Sequence, residues 1–210
     1  MKKSSIQLIG VCGLVGVLLL MVSFIINRGP GANPSLNELI QFKRTHYLPA
    51  VIGSWMQAVS PPLIVTFAIG MVFISGRNNK PAGWLTLIGG LILLIVSMVE
   101  VVFYFSALTG NTATTGTISM DMIAAVQRLY AIIAAPFFFF SLSAVLLRSV
   151  VLPAHMAYLG LGLGSGFFVL GVIQLFYPIQ NIVDIMAMIQ GLWWLAASVM
   201  VINRSARLSG

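Results

Sequence analysis

The chain has 210 residues, 59% of them hydrophobic and 7% charged, with a formal net charge of +7. A soluble domain carries about 25% charged residues, so too little polar surface is present to cover a core in water, and a cytosolic enzyme or a disordered tail is excluded. One cysteine, Cys12, rules out a disulfide scaffold, and basic residues standing singly or in pairs argue against nucleic acid as a partner.

Crossing about 30 Å of hydrocarbon takes about 20 mostly apolar helical residues. Six stretches qualify, at 6–26, 47–75, 84–108, 118–147, 151–176 and 182–202. They are too long, and alternate too little, for barrel strands. The expected fold is all-α: a single polytopic transmembrane domain over residues 1–210, built as a six-helix bundle in the lipid bilayer.

The first span follows Lys2 and Lys3, as in a secretory signal. Its apolar core is longer than such signals use, and Asn27-Arg28-Gly29-Pro30 offers no small-residue cleavage site, so an uncleaved signal anchor is expected. Gly10, Gly13 and Gly16 share one face of it. The longest connection, 27–46, contains the capping box Ser35-Leu36-Asn37-Glu38. Leu36, Leu39 and Ile40 then share a face, with Lys43 and Arg44 beside them. A short helix over 35–46 is expected, either lying at the outer interface or packed on the bundle.

Pro61-Pro62 in span two and Pro136 in span four each remove a helix hydrogen bond and are expected to bend their helices. Phe137–Phe140 are packed or lipid-facing bulk. Span five carries Gly160, Gly162, Gly164 and Gly166, which give two small-xxx-small pairs for close helix approach. No strand precedes this run, so it is not a dinucleotide fingerprint. Ser165 has no histidine at its depth to activate it.

Counting Lys and Arg near span ends puts Lys2, Lys3, Arg77, Lys80, Arg148, Arg204 and Arg207 on one side and Arg28, Lys43 and Arg44 on the other. The positive-inside rule then predicts both termini in the cytoplasm, in a plasma (inner) membrane.

Polar residues within the spans carry the functional information, because an ionised group at the centre of a span costs about 2.5–3.5 kcal/mol. Spans three and four form an antiparallel hairpin. Glu100 lies about 12 Å and Arg128 about 15 Å below its outer end, so the two are expected to pair. Gln57 and Gln190 fall in the same layer, Tyr104 one turn above Glu100 and Asp121 two turns above Arg128, with Ala124 and Ala125 between. Asp184 lies near the outer end of span six, rotated from the face of Gln190. Two readings are open. The ion pair fixes helix register; or Gln57, Glu100, Tyr104, Asp121, Arg128 and Gln190 line an outward-facing pocket in which Arg128 takes an anionic or carbonyl group.

His46 and His155 lie about a membrane thickness apart, so with one cysteine neither a metal nor a haem site is expected within the chain. No lysine within a span is available for a retinal Schiff base. No cofactor is expected and no catalytic residue is assigned. Trp55, Trp84 and Tyr47 fit interfacial belts, and Trp193-Trp194 fits packing.

Leu152-Pro153, the glycine-rich 159–166, Gly171 and Gln190-Gly191-Leu192-Trp193-Trp194 before Arg204 resemble small six-span bacterial membrane proteins of unknown function. The resemblance covers about the last 90 residues; it implies a six-helix bundle and transfers no activity. Three functions follow from the residues. The first is binding or transport of a small polar or anionic molecule around Glu100 and Arg128. The second is a non-catalytic scaffold whose glycine faces bind partner helices or a second copy. The third is an enzyme acting on a lipid or quinone headgroup, for which no nucleophile, metal or cofactor signature is present.

Overall fold

Lipid offers a peptide group no hydrogen-bond partner, so each apolar run satisfies its own backbone as helix. The computed structural model describes residues 3–27, 35–110, 113–177 and 179–207. Its helices are α1 (Lys3–Ile26), α2 (Leu36–Ile74), α3 (Pro81–Thr109), α4 (Ala113–Leu129), α5 (Ala135–Leu147), α6 (Ala154–Gln174) and α7 (Gln180–Arg207), with a π-turn over Tyr130–Ala134 joining α4 to α5. No strand occurs among the described residues. Among the described residues six helices are long and apolar enough to cross a membrane, the fourth being α4, the π-turn and α5 together. This matches an all-α, multi-pass architecture. Lys2 and Arg28 lie outside the described residues.

The helices alternate in direction and close into a ring. α1 packs on α2 and α7, α2 on α3, α3 on α4 and α5, α5 on α6, and α6 on α7. One end of the bundle gathers the two termini; the other holds the α3–α4 and α6–α7 connections. At the centre Trp194 of α7, fully buried, meets Phe67 of α2 with ring centroids 6.0 Å apart and Phe138 and Phe139 of α5 at 5.8 and 5.5 Å. Large apolar side chains such as Leu8, Leu91, Leu159 and Leu192 face outward.

The separate helix expected over 35–46 does not form. It is the beginning of α2, which continues for 39 residues. The capping box starts it: the Ser35 N–H donates to Glu38 Oε2 at 2.7 Å, and the Glu38 N–H donates to Ser35 Oγ at 3.3 Å. Nothing then stops it until Gly76, whose positive φ follows the Ser75 cap, and the helix passes Pro49, Pro61 and Pro62 without leaving the α form. The Lys43 ammonium donates to the carbonyl of Gly110, which caps α3, so the start of α2 is held against the bundle by a cation at a helix C-terminus.

The glycines divide by use. A Cβ at Gly13 would meet Ser198 and come within 2.6 Å of the Phe67 ring, so α1 sits close on both α2 and α7. Of the two pairs in α6, Gly160 and Gly164 pack on Ser143 and on Phe139 and Phe140. Gly166 meets Met186, whereas Gly162 has nothing within 4 Å. The second pair is therefore not one packing face.

Gly13→Ala should lower stability in detergent by about 1–3 kcal/mol, as overpacking does; Gly162→Ala should be neutral or raise it by up to about 1 kcal/mol through helix propensity. Denaturation midpoints of the two variants check both. At the start of α2, hydrogen bonds from the Ser35 backbone and then its side chain hold the Glu38 carboxyl below the usual carboxylate range. A lowered folded value makes its contribution complete above the usual glutamate pKa and lost as pH falls through the lowered one. Amide protection in the first turn of α2, measured against the intrinsic exchange rate at each pH, should fall over that acid range, and Ser35→Ala should lower it at neutral pH.

Candidate functional site

α3 and α4 run antiparallel, and their facing positions decide what meets. Near their connection, Ser119 Oγ donates to Ser106 Oγ at 3.0 Å. Two turns deeper, Gln127 Nε2 donates to Glu100 Oε1 at 2.9 Å. Tyr130, the first residue of the π-turn, donates its hydroxyl to Gln190 Oε1 of α7 at 2.7 Å and sets its ring edge-on to Phe167 of α6, with centroids 5.7 Å apart. Tyr104, one turn along α3, lies beside Gln127 and within electrostatic reach of Glu100 and Asp184. Tyr130 is likewise within reach of Glu100. Between α6 and α7, Gln174 donates to Gln180 at 2.6 Å and Gln180 to Asp184 at 2.9 Å. Amides, phenols and one carboxylate thus converge from α3, α4, the π-turn and α7.

The pair expected between Glu100 and Arg128 does not form. Gln127 takes the carboxylate, and Arg128 lies on the exposed side of α4. The reason is one residue of register. A π-turn is a single-residue insertion into an α-helix. Counted back from α5, every residue of α4 occupies the place that the following residue would hold in an unbroken helix. Gln127 therefore stands where Arg128 would have been, and Arg128 is turned about 100° away. Asp121 is also exposed. Gln57 is buried on α2 and makes no side-chain hydrogen bond among the described residues. Of the six residues expected to line a pocket, Glu100, Tyr104 and Gln190 belong to the polar layer, and Arg128 and Asp121 do not.

Sequence reasoning missed Gln127 and Tyr130. Their signal was Pro136, which announces a disturbed turn; a π-turn and a kink leave the same mark in a sequence.

The level of this layer follows from packing. Val72 lies against Gly83 and Val65 against Gly90, while Phe138 lies against Gly89 and Gln127 on Glu100. This register puts Trp55, Glu100 and Arg128 at about one height. At the termini end, the Arg77 guanidinium donates to the Arg148 carbonyl at 2.7 Å, near Lys80 at the start of α3. Arg128 and Arg148 are 20 residues apart, about 30 Å of helix.

Comparison with protein-family models, curated proteins and solved structures finds no match to this chain.

A double-mutant cycle on Glu100→Ala and Gln127→Ala should give a coupling of about 0.5–3 kcal/mol, as contacting residues do; Glu100→Ala with Arg128→Ala should be additive within about 0.5 kcal/mol. Unfolding free energies in detergent provide the measurement.

Proposed function

We propose that this multi-pass membrane protein binds, and passes or presents, a small polar molecule at the layer formed by Glu100, Gln127, Tyr104, Tyr130 and Gln190. The observation carrying the reading is that a carboxylate inside a membrane-crossing helix is answered by an amide and not by a cation. An intramembrane ionisable residue is a functional candidate by default, and this one has an amide and no cation as its partner. The layer offers acceptors and phenols and no basic group, so it suits a cation or a hydrogen-bond donor rather than the anion that Arg128 would have held.

The layer lies at the hydrocarbon boundary in this reading. The ring of Arg77, Lys80 and Arg148 marks one face of the bilayer. The level of Glu100 and Arg128, about 30 Å away, marks the other. Trp55 at that level is 56% exposed and fits the aromatic belt, and an outward-pointing Arg128 reaches headgroups there. Both termini are cytoplasmic: Lys3, Arg77, Lys80, Arg148, Arg204 and Arg207 lie at the termini end against Lys43, Arg44 and Arg128 at the other. The location is the plasma membrane. The glycine faces support internal packing more than partner helices, which places the scaffold reading second.

In a Cys12→Ala background, Tyr104→Cys and Gln190→Cys should react with a membrane-impermeant maleimide from the outer side of intact cells, as should the exposed control Thr114→Cys; Asn78→Cys should react only after permeabilisation. Labelling of Thr114→Cys alone would mean a sealed layer and favour the scaffold.

A further inference from the structure

We infer that Pro136 is a positioning residue: by holding the π-turn in place it decides that Gln127, and not Arg128, faces Glu100, and so sets the charge of the ligand the layer accepts. The inference about ligand charge rests on the binding reading above; the inference about register does not.

The π-turn has a local cause and a tertiary one. The Ala135 N–H bonds to the carbonyl of Tyr130, five residues back, and the next residue, Pro136, has no N–H and a ring that crowds the carbonyl four residues before it. A wider turn relieves that crowding. Proline is not sufficient, because Pro49, Pro61 and Pro62 lie within regular α-helix. At this turn Gly171 of α6 stands closer to the backbone than Gly16 of α1 does beside Pro61 and Pro62, where the Ile64 nitrogen is 3.2 Å from a Cβ built on the glycine. A Cβ at Gly171 would stand 2.8 Å from the backbone carbon of Ala131 and the backbone nitrogen of Ile132. The absence of that Cβ gives the turn its room.

The segment free to respond is α4. α5 is fixed by Ala135, Phe138, Phe139 and Leu142, all fully buried, whereas α4 exposes Asp121, Met122, Leu129 and Arg128. With Pro136 replaced, the turn can close to α, and α4 then advances by one residue against α3. Arg128 arrives opposite Glu100, and Met120 arrives opposite Ser106 in place of Ser119. The Glu100 carboxyl gains a cation as neighbour, and the layer gains one positive charge. Native sequence and fold thus keep Arg128 outside and leave Glu100 without a cation beside it.

The test leaves Glu100, Gln127 and Arg128 intact. In the Cys12→Ala full-length protein in membranes, oxidative cross-linking should trap Ser106→Cys with Ser119→Cys and should scarcely trap Ser106→Cys with Met120→Cys. Adding Pro136→Ala should reverse that ratio. Gly171→Ala, whose Cβ would stand 2.8 Å from the backbone of the turn, should do the same if Pro136→Ala does not fold, whereas deletion of Ile133 removes the inserted residue itself and should keep the native 106–119 link. Retention of the 106–119 link in both Pro136→Ala and Gly171→Ala overturns the register inference. For charge, Tyr104→Cys is reacted with trimethylammonium-ethyl and sulfonato-ethyl methanethiosulfonates. The cationic reagent should react about ten-fold faster in the native register, as a focused negative potential implies. The preference should vanish with Pro136→Ala and return when Arg128→Gln is added. An unchanged preference in Pro136→Ala overturns the charge inference. Failure of both reagents in every variant removes the binding reading, while the cross-links still decide the register.

Discussion

A helix in lipid has nowhere to send a displaced backbone hydrogen bond. When Pro136 takes away one donor, the chain cannot turn to water for a replacement, and it widens a single turn instead. That accommodation is local in energy and long in reach. It rotates everything before it by about 100° relative to everything after it, and the rotated part carries the polar side chains of α4. The identity of the residue facing Glu100 is therefore set about two turns away, by a missing N–H and by the absence of a Cβ on a neighbouring helix.

The same logic orders the rest of the bundle. Helices in lipid gain little from hydrophobic association, so contact depends on close fit and on polar groups shared between helices. Gly13, Gly16 and Gly164 supply the fit. Ser60 donating to the Gly16 carbonyl at 2.8 Å and Trp193 donating to the Met156 carbonyl at 2.9 Å supply the shared polar groups. The aromatic centre around Trp194, whose buried indole N–H has no partner among the described residues, acts as bulk that keeps α2, α5 and α7 apart by the width of a ring.

A carboxyl group answered by an amide and not by a cation is unusual in a membrane-crossing helix, since desolvating its charged form without a counter-charge is unfavourable. A cation is within one residue of it and is turned away. On the binding reading proposed above, holding them apart leaves the layer without a cation and Arg128 at the headgroup level. The arrangement links a packing detail to a chemical preference.

Composition and run length were enough to read the six crossings and the all-α class, because burying a helix in lipid needs only about 20 apolar residues and no knowledge of neighbours. The capping box at Ser35–Glu38 was legible for the same reason: its hydrogen bonds are made within four residues. Glu100, Tyr104 and Gln190 could be picked out as unusual by depth alone. What the sequence could not decide was direction around the helix axis. The pairing of Glu100 with Arg128 assumed an unbroken 3.6-residue repeat through span four, and the extra residue at Tyr130–Ala134 breaks that count. Whether a proline leaves a regular helix, as Pro61 and Pro62 do, or a π-turn, as Pro136 does, depends on the room a neighbouring helix gives. At this site that room is Gly171, 35 residues further along the chain, and only the tertiary fold brings the two together.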